Sequence, residues 1–227
     1  MTQTWVDLAF IHWPINPQLL RELIPEPLEI DTFDGLGWVG VVPFGMTKVR
    51  LRYALQLPYL SQFLELNVRS YVRWKGKSGV FFFSLDAANP IAVEVARAWF
   101  RLPYFNARML KEHCEDRIFY LSERTDQRGR QAGFKATYGP TGGVYYSRPG
   151  TIDAWLTERY CFHAVSNGGK VVTGEIHHKP WPLQPAKAAI EKNSMMAAIG
   201  LDLPDSEPLV HFVRELETIE WAITSNS

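Results

Sequence analysis

The stretch ELNVRSYV, Glu65 to Val72, alternates polar and apolar side chains almost without a break. On a β-strand successive side chains face opposite ways, so Glu65, Asn67, Arg69 and Tyr71 share one face while Leu66, Val68 and Val72 share the other. KGKSG (75–79) then precedes GVFFFSLDA, and a turn on Gly76-Lys77 sets Tyr71 against Phe82, Arg69 against Ser84 and Asn67 against Asp86. In that register Ser84 and Asp86 join the polar face, with Phe82 among them. VFFFSL (80–85) is apolar on both sides, which favours a strand covered on both faces and hence an enclosed polar cavity. The competing reading is a solvated face, or a buried ion-pair lattice that only fixes register.

Working outward, hairpin signals recur. LEIDTF and LGWVGVVPF flank Asp34-Gly35; RIFYLSERT and QAGFKATYG flank Gln127-Arg128-Gly129; YCFHAVS and KVVTGEIHH flank Asn167-Gly168-Gly169. Helices are expected after Asn16-Pro17 through Leu19, Leu20 and Leu23, from Asn89-Pro90 through IAVEVARAWF up to Pro103, and around DAWLTERY. A further helix is expected from Pro185 through AKAAIEKNSMMAAIG to Gly200. The closing LVHFVRELETIEWAI (209–223) suits helix or strand. The pattern is mainly β (α+β): one antiparallel barrel or cone over residues 1–227, with a few short peripheral helices.

The 227 residues carry 24 basic and 24 acidic side chains, with 46% hydrophobic and 13% aromatic residues. This suits one globular domain and offers no basic footprint for nucleic acid or an anionic membrane. Neither a signal peptide nor an apolar run of membrane length occurs, so a cytoplasmic protein is expected, and assembly into a homo-oligomer is compatible with this sequence. Cys114 and Cys161 fit no metal-finger spacing and read as reduced thiols. HCED (113–116) has ligand types without ligand spacing, and His177 and His178 face opposite sides of a strand, so no metal is expected. No nucleotide or hydrolase motif occurs, and no cofactor is expected. His12 in IHWP and His178 in HHKPWP each stand near Trp-Pro. Arg69 is a fork for a carboxylate and Glu65 a proton acceptor, about 13 Å apart along the strand.

Five ordered stretches, HWPINPQLLRELIPEPLEIDTFDGLGWVGVVPFGM (12–46), FLELNVRSYVRWKGKSGVFFFSLDA (63–87), ARAWFRLPYFNARM (96–109), ERYCFHA (158–164) and HHKPWPL (177–183), resemble the YqjF-like family of bacterial proteins. That family is similar to the acetoacetate-decarboxylase-like superfamily. The resemblance implies an antiparallel barrel or cone around a buried pocket and tilts the closing segment toward a strand. It matches Glu65 to the superfamily's strand glutamate, Arg97 to its helix arginine and Pro103 to its proline. The Schiff-base lysine falls on Tyr104, its cationic neighbour on Phe105, and the helix glutamate on Ala98. Without those lysines the resemblance implies no imine chemistry here.

The expectation is a small-molecule protein for an organic acid or carbonyl compound. Glu65 and Tyr104 are its acid/base candidates; Arg69, Tyr71, Asn67, Ser84, Asp86, Arg97, His12 and His178 bind. A lyase or hydrolase without a Schiff base, a non-enzymatic binding protein and an interaction module with a filled barrel all fit this reading.

Overall fold

The computed structural model describes residues 2–50, 62–100, 102–166, 168–221 and 224–225. The chain opens with β1 (Thr2–Ile15), α1 (Pro17–Arg21), β2 (Glu29–Ile30), β3 (Gly37–Arg50), β4 (Phe63–Trp74) and β5 (Lys77–Ala87). Next come α2 (Pro90–Phe100), β6 (Tyr104–Cys114), β7 (Arg117–Arg124), β8 (Gly133–Pro140), α3 (Ile152–Thr157), β9 (Cys161–Val165) and β10 (Val171–His178). It closes with β11 (Gln184–Asn193), α4 (Met195–Ala198), β12 (Leu209–Glu220) and β13 (Thr224–Ser225). The expected helix starts at Pro17 and Pro90 hold. Asn16 caps α1, its side chain accepting from Gln18 N, and Asn89 accepts from the amides of Ile91 and Ala92.

Strands β12, β1, β3, β4 and β5 lie side by side and form a wall that is closed twice. Through β6, β7, β8 and β11 the wall closes into a nine-stranded barrel; through β9 and β10 it closes again into a smaller ring. Both closures are possible because β5 pairs with β6 at Leu85–Ala87 and with β9 at Val80, while β12 pairs with β11 at His211–Phe212 and with β10 at Thr218–Glu220. The wall thus has two inward faces. Leu66, Val68 and Val72 face the barrel core with Tyr120, Phe134, Ala136 and Phe212. On the opposite face Tyr71 and Val80 pack against Leu156 of α3, and Phe10, Val42 and Phe44 pack against Trp181.

The structure corrects the β4–β5 register. Trp74 pairs with Lys77, so the turn is Lys75-Gly76, whose φ angles of 49° and 77° are those of a type I′ hairpin. Arg69 therefore faces Phe82 and Tyr71 faces Val80. A bulge follows, with Val68 facing Ser84 and Leu66 facing Asp86. The extra residue, Phe83, packs edge-on against Phe81 with centroids 5.3 Å apart. Its consequence is that Ser84 and Asp86 leave the face of Glu65, Asn67, Arg69 and Tyr71 and turn into the barrel. There Arg124 grips Asp86 from Nη2 at 2.6 Å and from Nε at 3.1 and 3.2 Å, both side chains being almost fully buried.

Two further expectations change. The segment after Pro185 is strand β11, not helix; Ala186, Ala188 and Ile190 pack inward and only Met195–Ala198 is helical. The Asp34-Gly35 turn is present, but it closes only a Phe33–Leu36 bridge, because β2 pairs with β4. A strand not among those expected, β6, pairs with β7 across a Glu115-Asp116 turn. The hairpins at 127–129 and between β9 and β10 form as expected, with Asn167 outside the described residues; the closing segment is strand β12.

Removing Arg124 would leave Asp86 buried without its partner. Arg124→Met is expected to cost about 3–5 kcal/mol in urea unfolding, while replacing both residues by apolar ones recovers most of that loss.

Candidate functional site

On the face of the wall opposite the barrel core, β4 carries Glu65, Asn67, Arg69 and Tyr71, all buried. Beside them β1 brings His12, and above them lies the C-terminal end of α3. A helix ends with carbonyls that have no intrahelical partner. Leu156 O is such a group, and it accepts from the Tyr71 hydroxyl at 2.9 Å and from Arg69 Nη2 at 3.4 Å. Tyr71 Oη also lies 2.6 Å from His12 Nε2. One hydroxyl proton cannot serve both partners, and a carbonyl can only accept. The network therefore assigns the Tyr71 proton to Leu156 O and a proton on His12 Nε2, leaving His12 Nδ1 as a bare acceptor. Close backbone approach makes this possible: a Cβ at Gly40 would stand 2.6 Å from His12 Cδ2.

Burial, and then the Arg69 guanidinium, hold His12 well below the usual histidine range, so it is neutral. His178 is likewise held down by burial; its Nδ1 donates to Lys179 O at 2.8 Å, and its ring lies against Tyr160 and Trp181. Trp181 and Phe10 stand between His178 and the Arg69 group, with centroids 4.9 Å apart.

Three arginines are buried among the described residues, Arg69, Arg124 and Arg159. Arg124 pairs with Asp86, and Arg159 Nη1 with Asp31 at 2.7 Å. Arg69 has no carboxylate within 4.0 Å among the described residues, and its Nε lacks an acceptor. Its charge rests over the rings of Phe10 and Tyr71, at 5.0 and 5.7 Å. Around it Asn67 Oδ1, His12 Nδ1, His211 Nδ1 and Trp181 Nε1 are buried without hydrogen-bond partners among the described residues. Such orphans cost about 1–3 kcal/mol each unless a water or ligand meets them.

Farther down β4, Tyr104 donates to Glu65 Oε2 at 3.0 Å. Arg97 is not aimed at the site: its Nη1 donates to Tyr104 O at 2.6 Å and so fixes the strand that carries the phenol. The structure thus joins Arg69, Tyr71 and His12, joins Glu65 and Tyr104, sets Asn67 between them, and removes Ser84 and Asp86. Sequence reasoning missed the Leu156 carbonyl and His211, whose Nε2 donates to Asp153 Oδ1 at 3.0 Å. A lone histidine in LVHFV carries no spacing signal. Lys48 and Lys135 pair at the surface with Glu215 and Glu191, and Lys179 is exposed.

His12, His163, His178 and His211 all have folded pKa values below 6.5, each chiefly through burial. The unfolded chain takes up protons near 6.5 and the folded chain does not. This contribution to stability is therefore fully present above pH 6.5 and is lost as the pH falls below it, by up to about 1.4 kcal/mol per unit per histidine. Urea midpoints at pH 7.5, 6.5 and 5.5 should fall progressively, and His12→Asn should shallow the slope; a flat profile contradicts the neutral assignment.

The family model DUF2071, described as an uncharacterized conserved protein, matches residues 2–217. The uncharacterized protein YqjF of Bacillus subtilis (strain 168) is 42% identical over 223 residues, covering 98% of this chain and 91% of that one. Among solved structures, the enduracididine biosynthesis enzyme MppR complexed with pyruvate superposes with a TM-score of 0.67 at 11% identity, covering 100% of this chain and 90% of that chain. Acetoacetate decarboxylase from Legionella pneumophila superposes at 0.61 with 15% identity, covering 99% and 87%. At such identities the likeness is one of fold. Among the described residues no helix is long and apolar enough to cross a membrane.

Proposed function

The chain belongs to the DUF2071 family, and from that membership and the buried face of β4 we propose that it binds a small organic acid, with Arg69 receiving the carboxylate. The observation that carries this is the uncompensated guanidinium: a buried cation with no carboxylate within 4.0 Å among the described residues, beside neutral His12. A carboxylate supplies both the missing charge and an acceptor for Arg69 Nε. The acceptors on His12, His211 and Asn67 suit an acid that carries a further O–H or N–H. Tyr71 and Leu156 O hold the guanidinium in place, and Arg97 positions Tyr104. The DUF2071 fold is shared with MppR, solved with pyruvate, which makes pyruvate a natural first probe.

A second reading, enzymatic turnover, is favoured by the Tyr104–Glu65 hydrogen bond of 3.0 Å. A carboxylate and a phenol in contact can exchange a proton with a bound carbonyl compound. Arg69 leans toward Tyr71, away from Glu65, so this pair would act on the far end of an acid anchored at Arg69. His178, shielded by Trp181 and Phe10, would shape the site without touching the carboxylate.

Calorimetric titration with pyruvate and with longer 2-oxo acids tests the first reading. Arg69→Met is expected to weaken binding at least tenfold without lowering the melting temperature, because it removes a charge that has no partner to strand. Failure of every short carboxylate to bind the parent, or a large loss of stability in the variant, defeats the proposal. For the second reading, Tyr104→Phe should leave affinity nearly unchanged while abolishing turnover of any acid found to react.

Imine chemistry is not part of either reading, since Tyr104 and Phe105 stand where the decarboxylases carry lysines. Incubation with acetoacetate followed by borohydride should leave the intact mass unchanged. An irreversible gain mapping to Lys48, Lys135 or Lys179 would show a relocated nucleophile.

A further inference from the structure

The bulge at Phe83 has a second result on the barrel side of β5. Ser84, with 1% of its surface exposed, lines a cleft of about 230 Å³ at the end of the nine-stranded barrel, and its Oγ has no hydrogen-bond partner among the described residues. The apolar part of the wall comes from Phe83, Phe105, Leu23 and, at the end of α4, Ala198 and Ile199, and the exposed Arg130 completes the lining. At one side lies Arg124, its guanidinium 4.1 Å from the Phe105 ring centroid. Gly129 closes the turn against this pair; a Cβ there would stand 2.6 Å from Phe105 Cε1. Nothing in the packing of Val68 against Ser84 requires a hydroxyl, and burying one unpaired costs free energy that alanine would avoid.

We propose that this cleft is a second binding site, for a small molecule with a ring-sized apolar body and one hydroxyl. The charge of Arg124 is answered by Asp86, which lies beside it inside the barrel. Asp86 itself does not line the cleft, whereas Arg124 and the exposed Arg130 do, so a cationic guest is disfavoured. Ser84 Oγ both donates and accepts, and it fixes the polar end of the guest. The volume suits a single substituted ring, since an apolar cavity of about 150 Å³ accommodates benzene. The site lies on the opposite face of the wall from Arg69 and does not depend on the carboxylate reading.

Phenol and toluene differ by the one group that Ser84 reads. Saturation-transfer NMR and calorimetric titration should show phenol bound to the parent protein, and toluene bound several-fold more weakly. Ser84→Ala should bring phenol down to the level of toluene, a loss of roughly two- to tenfold for one hydrogen bond. Ser122→Ala removes another buried, unpartnered hydroxyl that is not part of the cleft and should leave the preference intact. Ala198→Trp should fill the cleft and abolish binding of both probes, with ring-proton shifts of Phe83 and Phe105 in the parent as an independent readout. Arg69→Met, which alters the proposed acid site on the other face of the wall, should leave phenol binding at this cleft unchanged. The proposal is overturned if phenol does not bind, if toluene binds equally well, if Ser122→Ala acts like Ser84→Ala, or if Arg69→Met removes the binding.

Discussion

One five-stranded wall, hydrogen-bonded shut on both of its sides, is the constraint from which the rest of this protein follows. A sheet closed once has an inside and an outside, and its polar residues can be left to water. Here β12, β1, β3, β4 and β5 have no outside over much of their length, because the nine-stranded barrel takes one face and the ring through β9 and β10 takes the other. Every polar residue on those strands must therefore be paired, neutralised or reserved for a guest. Asp86 and Arg124 are paired, His12 and His211 are kept neutral by burial, and at Arg69, which has no carboxylate within 4.0 Å among the described residues, the proposed acid would supply the third solution.

The opening stretch shows how far a sequence can be read. Alternation in ELNVRSYV correctly separated Glu65, Asn67, Arg69 and Tyr71 from Leu66, Val68 and Val72, because that depends only on the strand's two-residue period. Assigning the partner strand needed two facts that alternation does not encode. The type I′ turn wants its glycine second, which moves the turn to Lys75-Gly76. The bulge at Phe83 reverses the facing of everything beyond it, and three consecutive phenylalanines give no sign of which one is extra. What fixes it is Arg124, 38 residues from Asp86, a tertiary contact invisible to local reading.

The segment after Pro185 failed for the opposite reason. Alanine, lysine and glutamate favour a helix, yet Ala186, Ala188 and Ile190 alternate with Lys187, Ala189 and Glu191 as an edge between β8 and β12 requires. The period was legible and propensity outweighed it; closing a barrel supplies far more than the few tenths of a kcal/mol per residue at stake in propensity. The family resemblance tilts the closing segment toward a strand, and it is strand β12; of the residues it matches, Glu65 is in contact with Tyr104, and Arg97 donates to the Tyr104 carbonyl.

Tyr104 and Phe105, at the positions where the resemblance implies two lysines, can be followed through the wall. Tyr104 pairs with Leu85 and Phe105 with Asp86, so the two point to opposite faces. A lysine at 104 would reach Glu65, but its cationic neighbour at 105 would point into the barrel, beside a guanidinium that already sits over that position. In this chain Phe105 instead covers Arg124 with its ring, and Tyr104 gives Glu65 a proton donor without adding charge. One substitution is thus tied to the buried ion pair on the barrel side and the other to the carboxylate on the Arg69 side. Both side chains, and the two buried polar groups they touch, are set by the facing of one strand.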